Sequence, residues 1–104
     1  MNPRKKLKEL FSRKRLLVVP GAFDGLSAWL VEEAGFEAVY LSGGAVARSA
    51  GVPDIGLLTM SEVIERATQV VSVVKIPVIA DADTGYGNAL NLVRTVKELS
   101  LIHI

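Results

Sequence analysis

Three short apolar runs, each followed by one stretch of helical spacing, constrain this chain more than any other feature. They are LLVVPGAF (residues 16–23), EAVYLSGG (37–44) and IPVIADAD (76–83). Between the first two, Asp24 is placed to cap a helix over GLSAWLVEEAG. Its apolar face is expected at Leu26, Trp29, Leu30 and Ala34, with Gly35 as the stop. Residues 45–58 read as a long connection. A second helix is expected from Ser61 over EVIERATQVVSVV, without a full capping box. A third is expected over ALNLVRTVKEL, capped by Asn88, with Leu92, Val93, Val96 and Leu99 as its apolar face. Strands separated by single helices imply a parallel sheet with right-handed crossovers, and continuous apolar strands fit a sheet covered on both faces. The class is α/β. Both a (β/α)₈ barrel and an open doubly wound sheet satisfy this pattern. A barrel takes roughly 250 residues, so 104 residues would supply under half of one.

Charge is distributed unevenly. Residues 1–15 hold seven of the twelve basic residues and one acid, for a net +6, and the remainder carries a net −5. Leu7, Leu10 and Phe11 fall at i, i+3 and i+4, so residues 1–15 are expected to form a basic amphipathic helix lying on the protein body. Aromatic residues do not interleave with basic ones downstream, which argues against nucleic acid as a partner. No apolar run approaches the roughly 20 residues that span a bilayer, and residues 1–15 are too charged for a signal peptide. A cytoplasmic protein without a membrane partner is expected. The absence of cysteine excludes disulfides, thiolate zinc sites and a cysteine nucleophile within these residues.

Residues 16–99 are expected to be the partial α/β unit. In VKELSLIHI the third helix runs into the β-like LIHI with no glycine or link, unlike EEAGFEAVYL after the first. Residues 100–104 are therefore expected to be a tail at which the chain is cut short or leaves its natural reading frame.

The residues suited to chemistry gather at the ends of the strands. Asp81 and Asp83, two apart at the end of the third strand, are expected to face the same way. Strand carboxyl ends are where ligands bind in parallel α/β folds. Burying unpaired carboxylates is costly, and a hard divalent cation, Mg²⁺ or Mn²⁺, would keep both ionised. Ser42, Gly43 and Gly44 close the second strand. There the glycines allow close approach and amides that form a nest for an anion, or else simply make a turn. Asp54 lies in the long connection, in GVPDIG. Arg48 is a candidate partner for a substrate carboxylate or an exposed surface cation, and His103 is given no role. Neither a G-x-G-x-x-G nor a Walker loop is present.

The segments VVPGAFDGLSAWLVEEAGFEAVYLSGGAVA, GVPDIGLLTMSEV and PVIADADTGYGNALNLVRTVKE, in that order, resemble the isocitrate lyase/phosphoenolpyruvate mutase superfamily. The resemblance is nearest to its methylisocitrate lyase, 2,3-dimethylmalate lyase and carboxyphosphonoenolpyruvate mutase branch, and runs from about Leu16 to Glu98. It implies the N-terminal portion, about three βα units, of an eight-stranded barrel, usually a homotetramer with a swapped C-terminal helix. By motif, Asp81 is the expected direct Mg²⁺ ligand, with Asp83 and Asp54 holding metal-bound waters. Ser42, Gly43 and Gly44, with Asp81, are the expected binding residues for a small keto or hydroxy acid. Tyr40 stands alongside and, with Asp54, is expected to serve catalysis. The implied reaction is Mg²⁺-dependent cleavage of a 2-alkylmalate or methylisocitrate-type acid to pyruvate and a second carboxylic acid, through an enolate. A phosphoenolpyruvate or carboxyphosphonoenolpyruvate mutase, an oxaloacetate decarboxylase, and a non-catalytic half-barrel are the alternatives. The lid of such lyases, with its Cys-Gly-His-type acid, follows the fourth strand and is absent from these residues, so no turnover is expected from this chain alone.

Overall fold

The computed structural model describes residues 2–104. Five helices and three strands alternate as α1 (Pro3–Ser12), β1 (Gly21–Ala22), α2 (Gly25–Glu33), β2 (Val39–Leu41), α3 (Gly43–Ser49), α4 (Met60–Val73), β3 (Val78–Ala80) and α5 (Ala89–Leu101). The strands form one parallel sheet in the order β1-β2-β3. Tyr40 registers against Gly21 and Ile79, and Leu41 against Ala22 and Ala80. This is the expected α/β sheet, with shorter strands. Only Gly21 and Ala22 of the first run enter the ladder, and Leu16 and Val18 are exposed because no partner strand lies along them.

The core is one cluster of Ala22, Ala28, Val39, Leu41, Val46, Ala67 and Val70 between the sheet and its helices. Val39 and Leu41 are fully buried. Because strand side chains alternate, Tyr40 and Ile79 face the other side of the sheet. On α4, Val63, Ala67 and Val70 bury a stripe at helical spacing. That helix starts earlier than the sequence suggested. Thr59 is the N-cap, accepting from the Glu62 amide at 3.3 Å while the Glu62 carboxylate accepts from the Thr59 amide at 3.0 Å. The full capping box is present, two residues upstream of Ser61.

The expected caps of the other two long helices hold. Asp24 accepts from the Ser27 amide at 2.8 Å, with Ser27 Oγ accepting in return. Asn88 accepts from the amides of Leu90 and Asn91. Gly35 leaves α2 at φ 92, the left-handed region that glycine enters without strain. The apolar faces are corrected. On α2 the covered residues are Ala28 and Val31, whereas Leu26, Trp29 and Leu30 are 63, 46 and 53% exposed. On α5 the buried residue is Thr95, and Leu92, Val93 and Val96 face outward with Leu99 half-covered. α2 is apolar on more than one side, so periodicity could not select its packed side, whereas the apolar stripe of α5 at Leu92, Val93 and Val96 is covered by no other element among the described residues.

At the opposite end of the sheet, α1 is shorter than expected. It buries Leu10, half-buries Leu7 and leaves Phe11 exposed. Arg13 is already extended and clasps Glu37 through two hydrogen bonds of 3.0 and 2.8 Å. That contact, opposed by some desolvation, holds the Glu37 carboxyl below its ordinary pKa. Residues 101–104 form no strand. The amide of His103 donates to Ser100 O and that of Ile104 to Leu99 O, each at 3.1 Å, with His103 at φ 68. This pair of bonds is a Schellman closure of α5. Arg4 binds it from α1, donating to Ser100 O at 2.8 Å, and Ile102 and Ile104 pack on the core cluster. No helix among the described residues is long and apolar enough to cross a membrane.

Candidate active site

The carboxyl ends of the strands open into a cavity of about 460 Å³ lined in part by Gly43, Asp54, Asp81, Asp83, Thr84 and Tyr86. Three elements bring these groups together. The first is β3, where the Asp81 amide donates to Leu41 O at 3.1 Å and so extends the ladder one residue past the strand. Asp81 thereby keeps the alternation of Ile79 and faces the side of the sheet that Tyr40 faces.

The second is the turn out of β2. Ser42 caps α3, its Oγ accepting from the Ala45 amide at 3.2 Å, which leaves its O–H free to donate outward. Gly43 and Gly44 are the first two residues of α3, not a turn with positive φ. The expected nest is therefore a helix start, whose first amides lack intrahelical acceptors. Glycine is needed there for room. A Cβ on Gly43 would lie 2.6 Å from Asp81 Oδ2, and one on Gly44 would lie 3.0 Å from Asp54 Oδ2. The segment read as a long connection thus begins with a helix, and the bend after it returns Asp54 to the cavity.

The third is the loop after β3. Asp83 is not part of the strand. It turns back at φ 48, its amide donating to Asp81 Oδ1 at 2.9 Å. The two carboxylates share the cavity through this local turn, not through strand alternation. The loop is tied down by Thr95, the one buried polar side chain among the described residues, whose hydroxyl donates to Gly85 O at 2.7 Å.

The collected negative charge shows in the tyrosines. Burial first, then the Asp81 and Asp54 carboxylates, raise the Tyr40 phenol above its ordinary pKa. Tyr86 is pushed up to about 12 by burial and then by Asp81 and Asp83. Both phenols stay protonated near neutrality and can serve as donors. Among the described residues no three carboxylates or imidazoles converge closely enough to chelate an ion unaided. Carboxylates spread around this cavity nevertheless suit Mg²⁺, which takes one or two carboxylates directly and keeps several waters.

The sequence matches the phosphoenolpyruvate phosphomutase family over residues 7–103. The chain belongs to this family. It is 50% identical over 99 residues to the 2,3-dimethylmalate lyase of Eubacterium barkeri, an alignment covering 94% of this chain and 34% of that protein. It is 45% identical over 94 residues to the 2-methylisocitrate lyase of Bacillus subtilis strain 168, covering 90% of this chain and 31% of that one. Its structure superposes on phosphonopyruvate hydrolase in complex with oxalate and Mg²⁺ with a TM-score of 0.93, at 36% identity, covering 99% of this chain and 36% of the other. The chain spans about a third of the length of these relatives. The family relatives are lyases and mutases acting on small acids.

Of the residues expected to form a site, Asp54, Asp81, Asp83 and Gly43 line the cavity. Gly44 is the seat of Asp54, Ser42 caps the helix that follows, and Tyr40 lies within the influence of Asp81. Tyr86 was not singled out from the sequence. A bulky residue between two glycines in TGYGN was the available signal, and the structure holds it at φ 62.

Proposed function

We propose that this chain is the N-terminal portion of an eight-stranded α/β barrel whose complete form is a Mg²⁺-dependent carbon–carbon lyase. Its substrate would be a 2-alkylmalate or methylisocitrate-type acid, released as pyruvate and a second carboxylic acid. The open edges of the three-stranded sheet and the uncovered apolar faces of α2 and α5 support the partial barrel. A tetrameric, cytoplasmic complete protein belongs to the same reading. The observation that carries the chemistry is the Asp81 carboxylate lying where a Gly43 side chain would be, with Asp54 and Asp83 in the same cavity.

In this reading Asp81 would hold Mg²⁺, or Mn²⁺, directly, while Asp83 and Asp54 hold its waters. When bound, the ion supplies positive charge against the charge that grows on the enolate oxygen. The chain's own groups do the rest. Ser42 O–H and the first amides of α3 orient the carboxylate and oxygen of the pyruvyl end. Asp54, at the exposed rim, is the carboxylate available to take the proton of the 2-hydroxyl. Tyr40, kept protonated by its surroundings, donates a hydrogen bond. The carbon that leaves needs a proton donor, which the resemblance places in a lid outside these residues. The family's phosphomutase branch and oxaloacetate decarboxylase are second readings, favoured if a complete protein lacks that acid.

Calorimetry tests the proposal. The 104-residue chain should take up Mg²⁺ more tightly with oxalate present than without. Asp81→Ala should abolish that uptake while the melting temperature stays near that of the parent. No metal uptake by the parent, with or without oxalate, would refute the proposed site.

A further inference from the structure

Arg48 is the charged residue beside this cavity that the proposed function leaves unused. It stands in the last turn of α3, and helical side chains lean toward the N-terminus of their helix. Its guanidinium folds back over Gly44, four residues earlier. A Cβ on Gly44 would meet Arg48 Nη1 at 3.1 Å and Nη2 at 3.5 Å, and Asp54 Oδ2 at 3.0 Å. Guanidinium and carboxylate thus stand no further apart than two such distances end to end, across the bare Cα of Gly44. They nevertheless form no ion pair. The ion pairs among the described residues are those of Arg13 and Arg15 with Glu37.

This placement runs against the simplest role for a last-turn arginine. A cation there is stabilised by the carbonyls at the helix C-terminus. Arg48 instead carries its charge back to the start of α3, where the helix dipole disfavours a cation. Arg48 is exposed, so water offsets part of that cost and Asp54 another part, from beyond ion-pair distance, and the planar fork of the guanidinium remains free for a second carboxylate.

We propose that Arg48 is a specificity-determining residue, receiving the second carboxylate of a malate-type dicarboxylic acid whose first end lies against Gly43 and Gly44. This rests on the proposed function and adds to it a residue that tells dicarboxylic from monocarboxylic acids. The structural basis is the glycine at position 44: it opens the path along which Arg48 and a ligand meet.

The test compares pyruvate with 2-methylmalate, binding to the 104-residue chain in Mg²⁺ by calorimetry. The parent should prefer 2-methylmalate. Arg48→Gln should lower that preference about tenfold, as loss of a charge-assisted hydrogen bond does. Arg48→Lys should restore part of it, through charge without the fork. An unchanged preference in Arg48→Gln, or an equal loss for both acids, would overturn the assignment while leaving the proposed function in place. Failure of the parent to bind either acid would refute the proposed function and this inference together.

Discussion

After β2 the chain turns into α3 through Ser42, Gly43 and Gly44 with no residue in the left-handed region. After β3 it passes Asp83, Gly85, Tyr86 and Gly87, all at positive φ. Both segments deliver groups to one cavity. In the first, glycine supplies space: Asp81 and Asp54 press against bare Cα positions, and a helix start supplies the donors. In the second, backbone conformation does the placing. Non-glycine residues occupy a region that costs roughly 1 kcal/mol or more each; Asp81 accepts from the Asp83 amide, and Thr95 donates to the carbonyl of Gly85, next to Tyr86. The contrast teaches that a site can be made precise either by leaving atoms out or by fixing strained ones in place.

The largest effect should come from closing the space in the first segment. Gly43→Ala puts a methyl group onto Asp81 Oδ2, and moving that carboxylate by an ångström should weaken Mg²⁺ and oxalate binding on the order of 100-fold. Calorimetry alongside a thermal melt reads it, and parent-like binding would show that Gly43 does not serve as room for Asp81. Next, Thr95→Val should strand the Gly85 carbonyl and lower stability by about 1–3 kcal/mol, measured by urea unfolding. A smaller loss would mean that the loop after β3 holds its shape without Thr95.

The smallest effect is a titration. Tyr86 has a folded pKa raised to about 12, above the ordinary phenol value near 10. The neutral phenol is the form the fold favours. Its contribution is therefore complete below pH 10 and is lost as pH rises from 10 toward 12. Absorbance near 295 nm should show Tyr86 ionising late, and Mg²⁺ should bring its pKa down by offsetting Asp81 and Asp83. An ordinary phenol pKa for Tyr86 would break the link between that loop and the acid cluster.

The order of strands and helices was legible because each element carries its own period and its own punctuation: Asp24, Gly35 and Asn88 act within one turn of where they stand. Asp81 and Asp83 beside Ser42, Gly43 and Gly44 were expected from their positions at strand ends, and Asp54, in the long connection, joined them by the family resemblance. Other features were hidden. α3, running from Gly43 to Ser49, is too short to show a period, and the Thr59–Glu62 capping box lies two residues before the start that Ser61 suggests. Trp29 and its neighbours looked like core because an apolar stripe names a face without naming what covers it.

Local chemistry, written in the sequence, determined which segments are strands and helices, where the longer helices begin and stop, and which acids stand at strand ends. Tertiary structure alone decided which helix faces are buried, and that Arg48 and Asp54 meet beside Gly44. The physical reason is range. Caps and periods act over a few residues, whereas burial and the meeting of charges depend on segments brought together only when the sheet and its helices pack.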